Sequence, residues 1–209
     1  MPISDLYEAI FIHIPKTAGS SIEDMLGIQS ESEFPLTENT QLPLECETTL
    51  LNRMDPVHAP QHDVPWDVWR KIDPWKWDTY YKFTIVRDPY QRAISSYHFL
   101  KDAVNYELNN MSDFLQQAYQ AQREHSYDSQ PFHHHFRPQW DYFDSYIVYD
   151  YVGHFETLAQ DMQIIKHELG CTTPLPFVNH RPYNRTYDWD RNELLLFDKV
   201  YGADRVFAV

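Results

Sequence analysis

The segment Ala9-Ile10-Phe11-Ile12-His13-Ile14-Pro15-Lys16-Thr17-Ala18-Gly19-Ser20-Ser21 constrains the fold of this chain more than any other. An apolar run stops at a proline, crosses a short turn and enters the helical pattern Ile22, Met25, Leu26. A buried strand that turns this tightly into a helix brings free backbone N–H groups, the positive helix end, a lysine and two hydroxyls to one point, the arrangement that cradles a phosphate. It is not the triphosphate loop G-x-x-x-x-G-K-[ST], because Lys16 precedes Gly19 by three residues instead of following a glycine.

A second unit of the same kind follows. Lys82-Phe83-Thr84-Ile85-Val86-Arg87-Asp88-Pro89-Tyr90-Gln91-Arg92-Ala93-Ile94-Ser95-Ser96-Tyr97 again runs from a buried-looking strand into a helix, with Pro89 suited to the first helical turn. Arg87 at the strand end and Ser95 two turns into the helix are placed to reach a second anion. Taken singly, Arg87 also reads as a surface ion pair and Ser95 as a solvated hydroxyl. Two such units about 70 residues apart point to a ligand with phosphates at both ends.

The first loop resembles the 5′-phosphosulfate loop of sulfotransferases, which binds 3′-phosphoadenosine 5′-phosphosulfate (PAPS), and the Arg87 unit resembles the 3′-phosphate motif of the same enzymes. The likeness is to the carbohydrate, Golgi-type branch called sulfotransferase family 2. It extends through Val57-His58-Ala59-Pro60, Phe136-Arg137-Pro138-Gln139-Trp140-Asp141-Tyr142, Tyr151-Val152-Gly153-His154-Phe155-Glu156-Thr157-Leu158-Ala159-Gln160-Asp161 and Phe177-Val178-Asn179-His180, nearly the whole chain in order. The resemblance implies an α/β fold with a central parallel sheet flanked by helices, of the P-loop-NTPase-like sulfotransferase type. It also implies that Lys16, Thr17, Ala18, Gly19, Ser20 and Ser21 hold the 5′ end of PAPS, and Arg87 and Ser95 its 3′-phosphate.

At 209 residues, with 43% hydrophobic and 16% aromatic content, the chain can bury one substantial core, and no composition shift marks a boundary; the expectation is one domain over 1–209. A net charge of −14 opposes nucleic acid or an anionic membrane as the bulk partner, so an anionic ligand needs local cations such as Lys16 and Arg87. Cys46 and Cys171 form no C-x-x-C and no disulfide framework. No apolar run approaches the roughly 20 residues of a membrane span, and no basic-then-apolar leader opens the sequence. The expectation is a soluble, bacterial-type cytoplasmic protein without the anchor of the Golgi enzymes.

Strands are expected over Ala9–Ile14, at Val57, and over Phe83–Val86 and Ile147–Val152. Helices are expected over Asp113–Arg123 with Ser112 as cap, Leu158–Leu169 with a Thr157/Gln160 capping box and Gly170 as terminator, and Arg191–Tyr201 with an Asp190/Glu193 box. Leu158, Met162, Ile165 and Leu169 share a face. Residues 29–54 read as a long polar loop, and 124–138 as an irregular stretch over the site. Trp66 and Trp69, at helical spacing, read as core packing, with stacking on a sugar or adenine as the functional alternative.

Sulfuryl transfer to an alcohol requires a base for the acceptor proton and a cation beside the bridging oxygen. Lys16 is the candidate cation. His58 is the first candidate base, on its match to the family's histidine and on an imidazole pKa of about 6.5; His62, Glu45 and Glu47 are the reserves. The implied acceptor is a hydroxyl of a glycan, glycolipid or smaller alcohol. His13 reads as support for the loop, and His133-His134-His135 as a solvated or substrate-facing loop, since adjacent side chains diverge too far for a metal site. Two alternatives stay open on the residues: a P-loop-like nucleotide kinase, and a non-catalytic nucleotide-binding module.

Overall fold

The computed structural model describes residues 3–28, 62–176 and 186–208. Val57, His58, Glu45, Glu47, Cys46, the 29–54 stretch and Phe177–His180 lie outside the described residues. A four-stranded sheet runs in the order β1 (Ile3–Ser4), β2 (Ala9–Ile12), β3 (Tyr81–Val86), β4 (Tyr151–His154). β2, β3 and β4 are parallel, with Phe11 opposite Phe83 and Ile85 opposite Gly153, whereas β1 pairs antiparallel with β2. The expected parallel sheet is present; the two-residue edge strand β1 is an addition too short to carry a sequence pattern.

Helices cover both faces, and the period of two along the strands assigns each residue its side. Ala9, Phe11, Phe83 and Ile85 pack with Ile22, Met25 and Leu26 of α1 (Gly19–Met25) and its exit, and with Met162 and Ile165. Ile10, Ile12 and Val86 pack on the other face with Val68 of α2 (Pro65–Lys71) and Trp77 of α3 (Pro74–Thr79). A third cluster joins α4 (Pro89–His98), α5 (Met111–Glu124) and α7 (Arg191–Tyr201) through Ile94, Phe114, Leu115, Phe136, Phe197 and Tyr201. α6 (Leu158–Glu168) lies between β4 and α7 in the chain.

Helix starts match the expected chemistry where the cap is local. Pro89 is at the first turn of α4 behind the Asp88 cap, and α7 carries the full Asp190/Glu193 box. Two expectations are corrected. The cap of α5 is Asn110, whose Oδ1 accepts from the Asp113 N–H at 2.9 Å; Ser112 lies inside the helix and its Oγ donates to Glu193 Oε1 across 81 residues at 2.9 Å. The Thr157/Gln160 box does not form: Thr157 makes no side-chain cap bond, its Oγ1 instead donating to Asp161 Oδ2 at 2.7 Å, and a 3₁₀ turn, Phe155–Thr157, leads into α6. Gly170, at φ 60°, ends the helix as expected. Among the described residues no helix is long and apolar enough to cross a membrane.

Candidate active site

Parallel strands deliver their outgoing loops to one edge, so the residues after Ile12, Val86 and His154 meet there. The first loop is held in a costly conformation. Lys16 and Ala18 have φ of 71° and 73°, left-handed values that cost a residue with a Cβ about 1–2 kcal/mol each. Buried guanidinium groups offset this: Arg92 Nε donates to the Pro15 carbonyl at 3.0 Å and Arg87 Nη1 to the Lys16 carbonyl at 3.1 Å. Hydrogen bonds from a charged donor contribute about 1.5–3 kcal/mol, enough to hold the turn.

Those bonds also orient the turn. In a trans peptide the C=O and the following N–H point oppositely, so carbonyls drawn to Arg87 and Arg92 direct the N–H groups of Lys16 and Thr17 to the other side. Among the described residues, no backbone carbonyl is within hydrogen-bond geometry of the N–H groups of Ala18, Gly19 or Ser20. Left-handed residues alternating with others make such N–H groups converge. Thr17 Oγ1 donates to the Ile14 carbonyl at 2.8 Å, so its hydroxyl fastens the turn.

Gly19 has a reason its sequence position does not reveal. A Cβ there falls 1.8 Å from His13 Nε2, inside a ring fixed by a 2.8 Å bond from Nδ1 to Glu23 Oε1 and stacked on Phe11. His13 is the loop's floor, the supporting part expected of it.

Arg87 is buried, contrary to a surface ion pair, and held from several sides. Its guanidinium lies 4.1 Å from the Phe155 ring centre. Its N–H donates to Gln139 Oε1 at 2.9 Å, and its carbonyl accepts from Gln139 Nε2 at 2.8 Å. Gln139 is in turn fixed by Asp204, whose carboxyl accepts from the Gln139 and Trp140 N–H groups and is pushed up to about 6 by burial. Asp88 N–H donates to Glu156 Oε1 at 2.9 Å, and Asp88 Oδ1 accepts from Gln91 N–H as the α4 cap. The Gly153-x-Phe155-Glu156 stretch thus has a physical role: Gly153 leaves room for Ile85, Phe155 stacks on Arg87, and Glu156 ties down Asp88. Ser95 is buried on α4, not solvated.

Beside the loop, Lys16 Nζ lies 4.0 Å from the Phe99 ring centre, in the single π-helical segment Phe99–Ala103 described after α4. Phe99 touches His135, and His135, His134, His62 and His13 form one cluster with ring centres 4.5–5.5 Å apart, His62 stacked on His134 and edge-on to His13 and His135. The solvated reading of this loop is corrected: His134 and His135 are buried, the 3₁₀ turn His133–Phe136 turning them inward. His133 diverges, hydrogen-bonded to Tyr106 and Ser126. Among the described residues no group of three or more His, Cys, Asp or Glu side chains could hold a metal ion.

Burial, followed by the charges of neighbouring histidines and Lys16, holds the His62 pKa well below its ordinary 6.5, and burial does the same for His135. Neutral in the folded state, both take up protons on unfolding, so their contribution to stability is full above 6.5 and declines as pH falls toward the lowered folded values. Asp204 acts in the opposite sense between about 6 and its ordinary 3.8. Each proton bound in excess by the unfolded chain removes about 1.4 kcal/mol per pH unit. Urea melts are therefore expected to show lower stability at pH 5.5 than at pH 7.5, with a shallower slope in His62→Asn; a variant slope equal to the parent's removes His62 from this account.

Some sequence expectations fall elsewhere. Trp66 and Trp69 stack on each other and on Tyr146 at a partly exposed surface, and it is Val68 that α2 buries. Arg92, Gln139, Phe155, Glu156 and Asp204 were not singled out as site residues; Arg92, Gln139, Phe155 and Glu156 lie within the motifs quoted, but their contacts span tens of residues and leave no local signal.

The family model described as the Sulfotransferase family matches residues 1–194. No curated protein and no solved structure gives a match. Both strand-to-loop units lie within that stretch, on a mixed α/β sheet with the parallel strands the family likeness implied, and the chain belongs to the sulfotransferase family.

Proposed function

We propose that the chain transfers the sulfuryl group of PAPS to a hydroxyl of a carbohydrate or other alcohol acceptor. The observation that carries this reading is the Arg87-to-Lys16 carbonyl bond, which fastens two cationic strand-end loops into one edge. The donor set fits a nucleotide with anionic groups at both ends: the Lys16 ammonium, the N–H groups of Thr17, Ala18, Gly19 and Ser20 and the hydroxyls of Ser20 and Ser21 on one side, Arg87 and Ser95 on the other. When bound, PAPS supplies an activated sulfuryl group on a phosphate leaving group. Lys16 then holds positive charge where the bridging oxygen becomes negative, and the loop N–H groups fix the 5′ end. His58 is the proposed proton acceptor, and His62, buried one ring away from His13 under the loop, is the alternative.

The test is calorimetry without added metal, using adenosine 3′,5′-bisphosphate (PAP), adenosine monophosphate (AMP) and ATP. PAP is expected to bind in the micromolar range or better, about −8 kcal/mol, and AMP at least about tenfold more weakly. Equal affinities for PAP and AMP remove Arg87 and Ser95 as a 3′-phosphate clamp, and a preference for ATP revives the kinase reading.

A further inference from the structure

The family match ends at residue 194, yet a part of the site's support comes from beyond it. Asp204 lies in the 3₁₀ turn Gly202–Phe207 that follows α7, and it is 0% exposed. Oδ2 accepts from the Gln139 N–H at 2.9 Å and Oδ1 from the Trp140 N–H at 2.8 Å. Two successive N–H groups on one carboxylate fix the direction of that backbone, and with it the root of the Gln139 side chain. The Gln139 amide then brackets Arg87, accepting from its N–H and donating to its carbonyl. With both polar groups of its backbone held, Arg87 leaves the end of β3 in one direction, over Phe155 and toward the Lys16 loop.

We infer that Asp204 is a positioning residue of the second anion site: through Gln139 it aims Arg87, and so contributes to selection of a nucleotide with a 3′-phosphate over one without. This inference rests on the donor reading above. A buried carboxylate is expensive, and here the nearby Arg92 charge, followed by the two N–H bonds, offsets part of the burial. Asn at 204 keeps the size and one acceptor but turns an NH₂ group toward one of the two N–H donors, so the chain of bonds breaks at its first link. Gln139→Met breaks it at the next link, leaving Asp204 its two backbone partners.

Calorimetry with PAP and AMP on the parent, Asp204→Asn, Gln139→Met and the double variant tests this. Each single variant is expected to bind PAP roughly tenfold more weakly while AMP stays within about twofold, and the double variant to be no worse than the weaker single one, because both act along one line. A merely structural role weakens PAP and AMP alike. That result, unchanged PAP binding, or losses that add in the double variant, overturns the inference. Failure of the donor reading looks different, since the parent itself then shows no preference for PAP. Should Asp204→Asn not fold, Gln139→Met alone decides, through the PAP-to-AMP ratio.

Discussion

Lys16→Ala is expected to lower sulfuryl transfer by about 10²–10³-fold while weakening PAP far less, the pattern of a charge that acts on the developing leaving group. The substitution leaves the backbone of the loop in place. Alanine keeps the Cβ, so the left-handed backbone at φ 71° is neither relieved nor further strained, and the Lys16 carbonyl that accepts from Arg87 is retained. What is lost is the ammonium near Phe99. Release of PAP from PAPS in the presence of a panel of sugar acceptors measures turnover, and calorimetry measures binding. Arg87→Ala is expected to show the converse, a loss concentrated in affinity. A Lys16→Ala variant with full turnover removes the loop from the chemistry.

The base gives the second large effect. His58→Ala is expected to cost roughly 10²- to 10⁴-fold in turnover with near-normal PAP binding, the contribution of a well-placed general base. The parent rate should also fall as pH drops through the base's pKa. His62→Ala is the paired experiment, because His62 sits among His13, His134 and His135 with its pKa held down by burial. Should turnover survive in His58→Ala and collapse in a folded His62→Ala, proton acceptance moves to His62; survival in both points to Glu45 or Glu47.

Legibility in the sequence followed the range of the interactions. The two strand-to-helix units, Pro89 in the first turn of α4 and the Asp190/Glu193 box could be read because each is decided within a few residues. Thr157 misled because a 3₁₀ turn runs directly into the helix there and its hydroxyl turns to Asp161, leaving no side-chain cap bond. The bracket around Arg87 was out of reach: Gln139 is 52 residues away and Asp204 a further 65. His133-His134-His135 read as exposed because three adjacent polar side chains suggest a loop, while a 3₁₀ turn sends two of them into the interior.

The same long spans govern how the edge is assembled. Arg87 meets the Lys16 carbonyl across 71 residues and Arg92 meets that of Pro15 across 77, so each bond closes a large loop, and the entropy of closure precedes the gain. β2 with its turn carries the backbone N–H groups of the Lys16 loop but lacks the guanidinium groups that hold that loop in place. A partly folded chain can therefore contain helices and paired strands without a formed edge, and on the proposed function nucleotide binding is expected to report on whether distant segments have docked.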